Sequence, residues 1–168
     1  MYLALYCGLR RGEIVALKWS DLEESTVTIH VKNSVEFINN QPKEKDTKSK
    51  AGNRIIPVPP HLWTMMQNQQ KKALLVVPSA HGVQMSEIAV RRLMEPVQQR
   101  VDFHVTLHML RHTYASIIDR IGVSLKMCQY LLGHAELTTT KDIYTHIQDE
   151  HIDMVSIQLQ DIYAASRT

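Results

Sequence analysis

The sequence predicts an α+β fold, mostly α-helical with a small three-stranded antiparallel sheet. Three observations carry that expectation. Apolar residues recur at helical spacing over most of the chain, three short runs between residues 26 and 58 are rich in β-formers, and turn-forming residues separate these segments. At 168 residues the chain is one ordinary domain, 1–168, long enough to bury a core without disulfides or metal. Hydrophobic residues make up 44% and charged residues 21%, which places it among globular rather than disordered chains.

Residues 1–18 read as one buried helix, with Leu3, Tyr6, Leu9 and Arg10 on one side and Glu13 and Leu17 continuing it. A core helix that starts at Met1 is expected to have lost something upstream, because an apolar helix needs partners on several sides. Residues 19–22 read as a turn, with Ser20 or Asp21 capping a short helical piece. The three strands fall at 26–31, which alternates Val, Ile and Val with polar residues, at 35–38 after Asn33, and at 54–58, ended by Pro57, Pro59 and Pro60. Between the last two, 41–53 is rich in Lys and turn formers and reads as an exposed hairpin loop. Helices are expected at about 61–75, at 86–99 opened by Ser86 with Glu87, and at 106–121 opened by Thr106 and stopped by Gly122. Shorter ones follow at about 124–132 and 138–146, and a last one near 149–164 carries Ile152, Val155, Ile157, Leu159 and Ile162.

The net charge of +2 is too small to identify a polyanionic partner by itself, so the distribution of charge must carry that argument. Cys7 and Cys128 are the only cysteines, too few for a disulfide framework, which fits a reducing, cytosolic setting. The apolar opening, MYLALYCGL, lacks the basic start of a signal peptide. No stretch approaches the roughly 20 apolar residues needed to cross a bilayer.

Four segments hold the candidate chemistry. In HMLRH, 108–112, His108 and Arg111 are three apart and share a helical face, beside an apolar stripe of Leu107, Leu110 and Tyr114. His108 and His112 are also one turn apart, but a zinc-protease pattern needs Glu directly after the first His, and Met109 stands there. In LLGHAELTTTKDIYTH, 131–146, Gly133 breaks a helix, His134 sits at the break and Tyr144 lies on the next helix. The third segment is GLRRGE, 8–13, and the fourth the lysine-rich DTKSKAGNR, 46–54. Taken singly, each reads as well as a surface pair, a helix cap or a solvated loop.

Together, in order and spacing, the four resemble the tyrosine recombinases and phage integrases, over residues 8–146. The resemblance implies that Arg10 and Arg111 are the paired arginines, Lys48 the hairpin lysine, His108 the histidine of the HxxR box, His134 that of LGH, and Tyr144 the nucleophile. Glu13 matches the acidic residue of the first box, in a supporting role that orients Arg10 or nearby backbone. Arg11 reads as a flanking residue, and Lys50 competes with Lys48 within one loop.

The chemistry so implied is DNA breakage and rejoining. Two guanidinium groups suit a phosphodiester, because they are always protonated and can hold its non-bridging oxygens by paired hydrogen bonds as charge builds. A tyrosine phenol has a pKa near 10, so its attack needs nearby positive charge and a proton acceptor, the place of His108. His134 adds a donor to the phosphate and Lys48 protonates the departing 5′ hydroxyl. The product is a 3′-phosphotyrosine, and neither metal nor other cofactor is implied. Contacts to double-stranded DNA are expected from Lys43, Lys45, Lys50 and Arg54 of the basic loop and from Arg91 and Arg92, the last two reading equally as a solvated helix face. The resemblance further implies a cytoplasmic, bacterial or phage-encoded protein, monomeric in solution and tetrameric on DNA, with accessory DNA-bending or directionality proteins as further partners. Full-length members carry a helical DNA-clasping domain before the first arginine box, so the expectation is a catalytic domain without it. Two other readings stay open: a DNA-binding module of this fold without chemistry, and a type IB topoisomerase.

Overall fold

A computed structural model describes residues 1–45, 53–133, 155 and 157–159. The order along the chain is α1 (Tyr2–Cys7), α2 (Arg11–Ala16), a 3-10 turn (Trp19–Asp21), β1 (Leu22–Glu23), β2 (Thr28–Val31), β3 (Ser34–Ile38), β4 (Gln41–Lys45), β5 (Arg54–Pro57), α3 (Pro60–Gln67), α4 (Glu87–Arg92), α5 (Glu95–Gln98), α6 (Leu107–Arg120) and α7 (Leu125–Leu132). None of the described helices is long and apolar enough to cross a membrane.

The expected helix over 1–18 is two helices. Gly8 ends α1 in the left-handed region, φ 63°, with its N–H bonded to the carbonyls of the preceding turn. A Cβ there would lie 2.4 Å from the Tyr114 ring, and Tyr114 is fully buried on α6. The break therefore lets α6 pack closely against α1, and it turns Arg10 into the N-cap of α2.

The three-stranded antiparallel sheet is present, with a different membership: β1, β2 and β5 in that order, Ile29 opposite Ile56 and Val31 opposite Arg54. The run at 35–38 instead pairs with β4, which occupies the first part of the segment expected to be loop. Asn39 and Asn40, both at positive φ, make the two-residue turn of this hairpin. Asn40 then docks the hairpin on α4, its carbonyl and side-chain oxygens accepting from the Glu87 and Ile88 N–H groups at 3.3 and 2.8 Å.

Helix α3 stops at Gln67 rather than near 75, and residues 74–76 run extended against 17–19, where the Val76 N–H donates to the Leu17 carbonyl at 2.9 Å. The helix expected over 86–99 is α4 followed by α5, with Pro96 in the first turn of the second. Ser86, Thr106 and Ser124 cap α4, α6 and α7, each side-chain oxygen accepting the backbone N–H three residues on. The main core lies between α1, α2, the sheet and α3 and includes Leu3, Leu9, Ile29, Ile56 and Leu62. A second cluster joins α6 and α7 through Tyr114, Ile118 and Leu131, and Val155 and Leu159 of the tail are buried in it. The helix expected at 138–146 lies outside the described residues.

Candidate active site

Arg10, Glu13, Arg54 and Arg111 form one connected cluster, assembled from α2, β5 and α6 against the end of α7. Glu13 is at its centre. The carboxylate is 4% exposed and accepts hydrogen bonds from the Arg10 N–H at 2.7 Å, from Arg10 Nη1 at 3.0 Å, and from Arg54 Nη1 and Nη2 at 2.9 Å each. Burial alone would raise its pKa. The Arg54 hydrogen bonds and charge, then the Arg10 N–H and charge, outweigh that and hold it below the ordinary carboxylate value. Glu13 thus stays ionised and fixes Arg10 through both backbone and side chain.

The two matched arginines lie far apart in sequence and meet at adjacent carbonyls. Arg10 Nη2 donates to the Gly133 carbonyl at 2.6 Å, while Arg111 Nη2 donates to the Leu132 carbonyl and its Nη1 to the Gly8 carbonyl. Gly133 is in the left-handed region, φ 62°, and ends α7 just before His134. Arg10 keeps a 40%-exposed side chain, whereas Arg111 is buried. Burial first, and then repulsion from Arg10, push the Arg111 pKa down to about 10, which leaves it protonated at neutral pH. Among the described residues, the guanidinium groups of Arg10, Arg54 and Arg111 thus gather around one carboxylate, a local excess of positive charge.

A groove of about 1270 Å³ opens beside the cluster, and Arg10, Arg11, Lys45, Arg91, His108 and Arg111 are among its lining residues. His108 and His112 are exposed on α6, with their Nε2 atoms 2.8 Å apart, so one ring donates to the other. Arg11 is held across the groove by Glu87 Oε1 at 2.6 Å, with its guanidinium 4.5 Å from the Phe37 ring.

Of the sequence-derived candidates, the structure brings Arg10, Glu13, His108 and Arg111 together, with Lys45 and Arg91 on the same groove. Lys43 and Arg92 are exposed and are not among the residues lining it. Lys48, Lys50, His134 and Tyr144 lie outside the described residues. Arg54 is a correction: a DNA contact was expected, but its side chain is 0% exposed, committed to Glu13 and, through Nε, to the Leu131 carbonyl at 2.8 Å. The missed signal is the period of two in β5, which puts residue 54 on the same face as the buried Ile56. The His112 bond to His108 was also missed, because the pair was weighed only as zinc ligands.

The sequence pattern of the phage integrase family matches residues 1–151. The chain is 31% identical over 156 residues to the tyrosine recombinase XerC of Xanthomonas campestris pv. campestris, covering 88% of this chain and 43% of that protein. It is 27% identical over 172 residues to a XerC-like tyrosine recombinase of Caldanaerobacter subterraneus subsp. tengcongensis, covering 86% and 44% respectively. Among solved structures, the integrase from mycobacterium phage Brujita matches with a TM-score of 0.68 at 22% identity, over 95% of this chain and 48% of that one. The Tn1549 transposon integrase in complex with transposon right end DNA matches with a TM-score of 0.67 at 21% identity, over 94% and 56%. These structural likenesses show the fold, and the chain spans about half the length of the curated relatives it matches.

Proposed function

The chain belongs to the phage integrase family, and from that premise we propose that it cuts and rejoins DNA at specific sites through a covalent 3′-phosphotyrosine, with Tyr144 as the nucleophile. The observation that carries the reading is the Arg10–Arg111 pair, two guanidinium groups fixed on neighbouring carbonyls beside a groove, with positive charge in excess among the described residues. A phosphodiester repels nucleophiles because its oxygens are charged, and fixed cations aimed at those oxygens lower the barrier most where charge builds. Arg10 and Arg111 hold the non-bridging oxygens. The Tyr144 oxygen attacks phosphorus as its proton leaves to His108, and the 5′ oxygen departs with a proton from Lys48, while His134 donates to the phosphate. Attack by a 5′ hydroxyl of another strand reverses these transfers and restores the phosphodiester.

Residues 1–168 act in this reading as the catalytic domain. Lys45 and Arg91 contact backbone phosphates along the groove, with Lys43, Lys50 and Arg92 as outlying contacts and Arg54 withdrawn from that role. The setting is cytoplasmic, and the working assembly is a tetramer on DNA, with accessory DNA-bending or directionality proteins. Incubation with a nicked suicide duplex followed by a denaturing gel tests the chemistry. The wild-type chain is expected to give a band shifted by attached DNA and Tyr144→Phe none; a wild-type chain that binds the duplex and never attaches to it would be a binding module instead.

A further inference from the structure

Arg54 has no part in the chemistry above, yet it is the largest of the fully buried side chains. Burying a guanidinium is costly unless its donors are met. Here Nη1 and Nη2 each donate to Glu13 at 2.9 Å, and Nε donates to the Leu131 carbonyl at 2.8 Å. Glu13 and Leu131 each lead to Arg10. Glu13 holds the Arg10 N–H and Nη1, while Leu131 lies two residues before Gly133, whose carbonyl holds Arg10 Nη2. The packing is tight, because a Cβ on Gly133 would come 2.8 Å from Arg54 Nη1 and 3.1 Å from Arg10 Nη1.

We infer that Arg54 is a positioning residue for the phosphate grip, tying the carboxylate that orients Arg10 to the end of α7 that receives both Arg10 and Arg111. This rests on the proposed strand-cleavage function. It explains why an arginine stands here, since lysine offers one point charge and cannot bond both Glu13 oxygens and a separate carbonyl in fixed directions. It also explains why β5 carries its charge inward: the Arg54 side chain joins the sheet to the site.

The test compares Arg54→Lys with Tyr130→Phe in the whole chain. Tyr130 sits at the same junction, its hydroxyl accepting the Ile55 N–H at 2.9 Å, and serves as a control for loosening α7 from β5. Single-turnover attachment to a saturating nicked duplex, DNA affinity by anisotropy, and urea stability are measured for each. Arg54→Lys is expected to slow attachment by roughly tenfold or more while DNA affinity stays within about twofold, because the interaction lost acts on transition-state geometry. Tyr130→Phe is expected to keep the wild-type rate. Wild-type attachment by folded Arg54→Lys, or equal losses in both variants in step with stability, would overturn the inference. Should Arg54→Lys not fold, replacing the pair together, Glu13→Met with Arg54→Met, removes both members of the buried ion pair and is expected to fold and show the same slow attachment; a wild-type rate there overturns it. The Arg10 guanidinium N–H signals in NMR provide a readout without DNA. They are expected to shift in Arg54→Lys and stay in place in Tyr130→Phe. If the wild-type chain never attaches to DNA, the cleavage reading fails, and unchanged Arg10 signals would separately defeat this one.

Discussion

Replacing Glu13 with glutamine changes one charge and almost no volume, at the centre of the cluster. The carboxylate accepts from Arg10 and Arg54, and Arg54 is fully buried, so the variant leaves a guanidinium in the interior without its counter-charge. Removing one partner of a buried pair costs about 3–5 kcal/mol. The Arg54 bond to the Leu131 carbonyl is retained and Arg10 is partly exposed, which places Glu13→Gln near the lower end, about 3 kcal/mol. For a domain stable by about 5–15 kcal/mol that is a large fraction. The pH dependence has a definite sign. The folded-state pKa of Glu13 lies below its unfolded value of 4.5, so its contribution is fully present above that value and is lost as pH falls through the folded pKa. Urea unfolding of both proteins at pH 7 and across the acid range should therefore show a gap that narrows below pH 4.5, where the protonated acid and glutamine become alike. A gap under about 1 kcal/mol at pH 7, or one that does not narrow in acid, would refute the clamp.

Two further outcomes follow from the same geometry. Arg111→Lys cannot keep bonds to both the Gly8 and Leu132 carbonyls while presenting a planar donor, so DNA attachment in a single turnover should fall by on the order of a hundredfold with folding retained. Arg91 borders the groove and Arg92 does not, so Arg91→Ala should reduce the slope of log K against log salt by about 1, and Arg92→Ala, at an outlying contact, should reduce it by clearly less.

Much of the fold was legible because its signals are local. Ser86 and Thr106 mark the helix starts they cap, and His108 and Arg111 share a helix as their spacing requires. The departures have tertiary causes. The break at Gly8 is imposed by the Tyr114 ring, and polar β4 forms because β3 pairs with it across the Asn39–Asn40 turn. A charged residue in a basic stretch reads as surface, and only the inward face of β5 marks Arg54 as interior. Arg10, Glu13, His108 and Arg111 were legible as residue types in order, and the structure brings these four together. Its anchoring was not, because the carbonyls of Gly8, Leu132 and Gly133 carry no sequence signature for the arginines that bond them.

Peptide mapping of the protein–DNA adduct by mass spectrometry, on a duplex nicked to trap it, tests the central claim most directly. The account predicts a single modified peptide, 3′-phosphate DNA joined to the oxygen of Tyr144, with a free 5′ hydroxyl on the released strand. A linkage to another residue or to a 5′ phosphate would contradict it, as would attachment that persists in Tyr144→Phe.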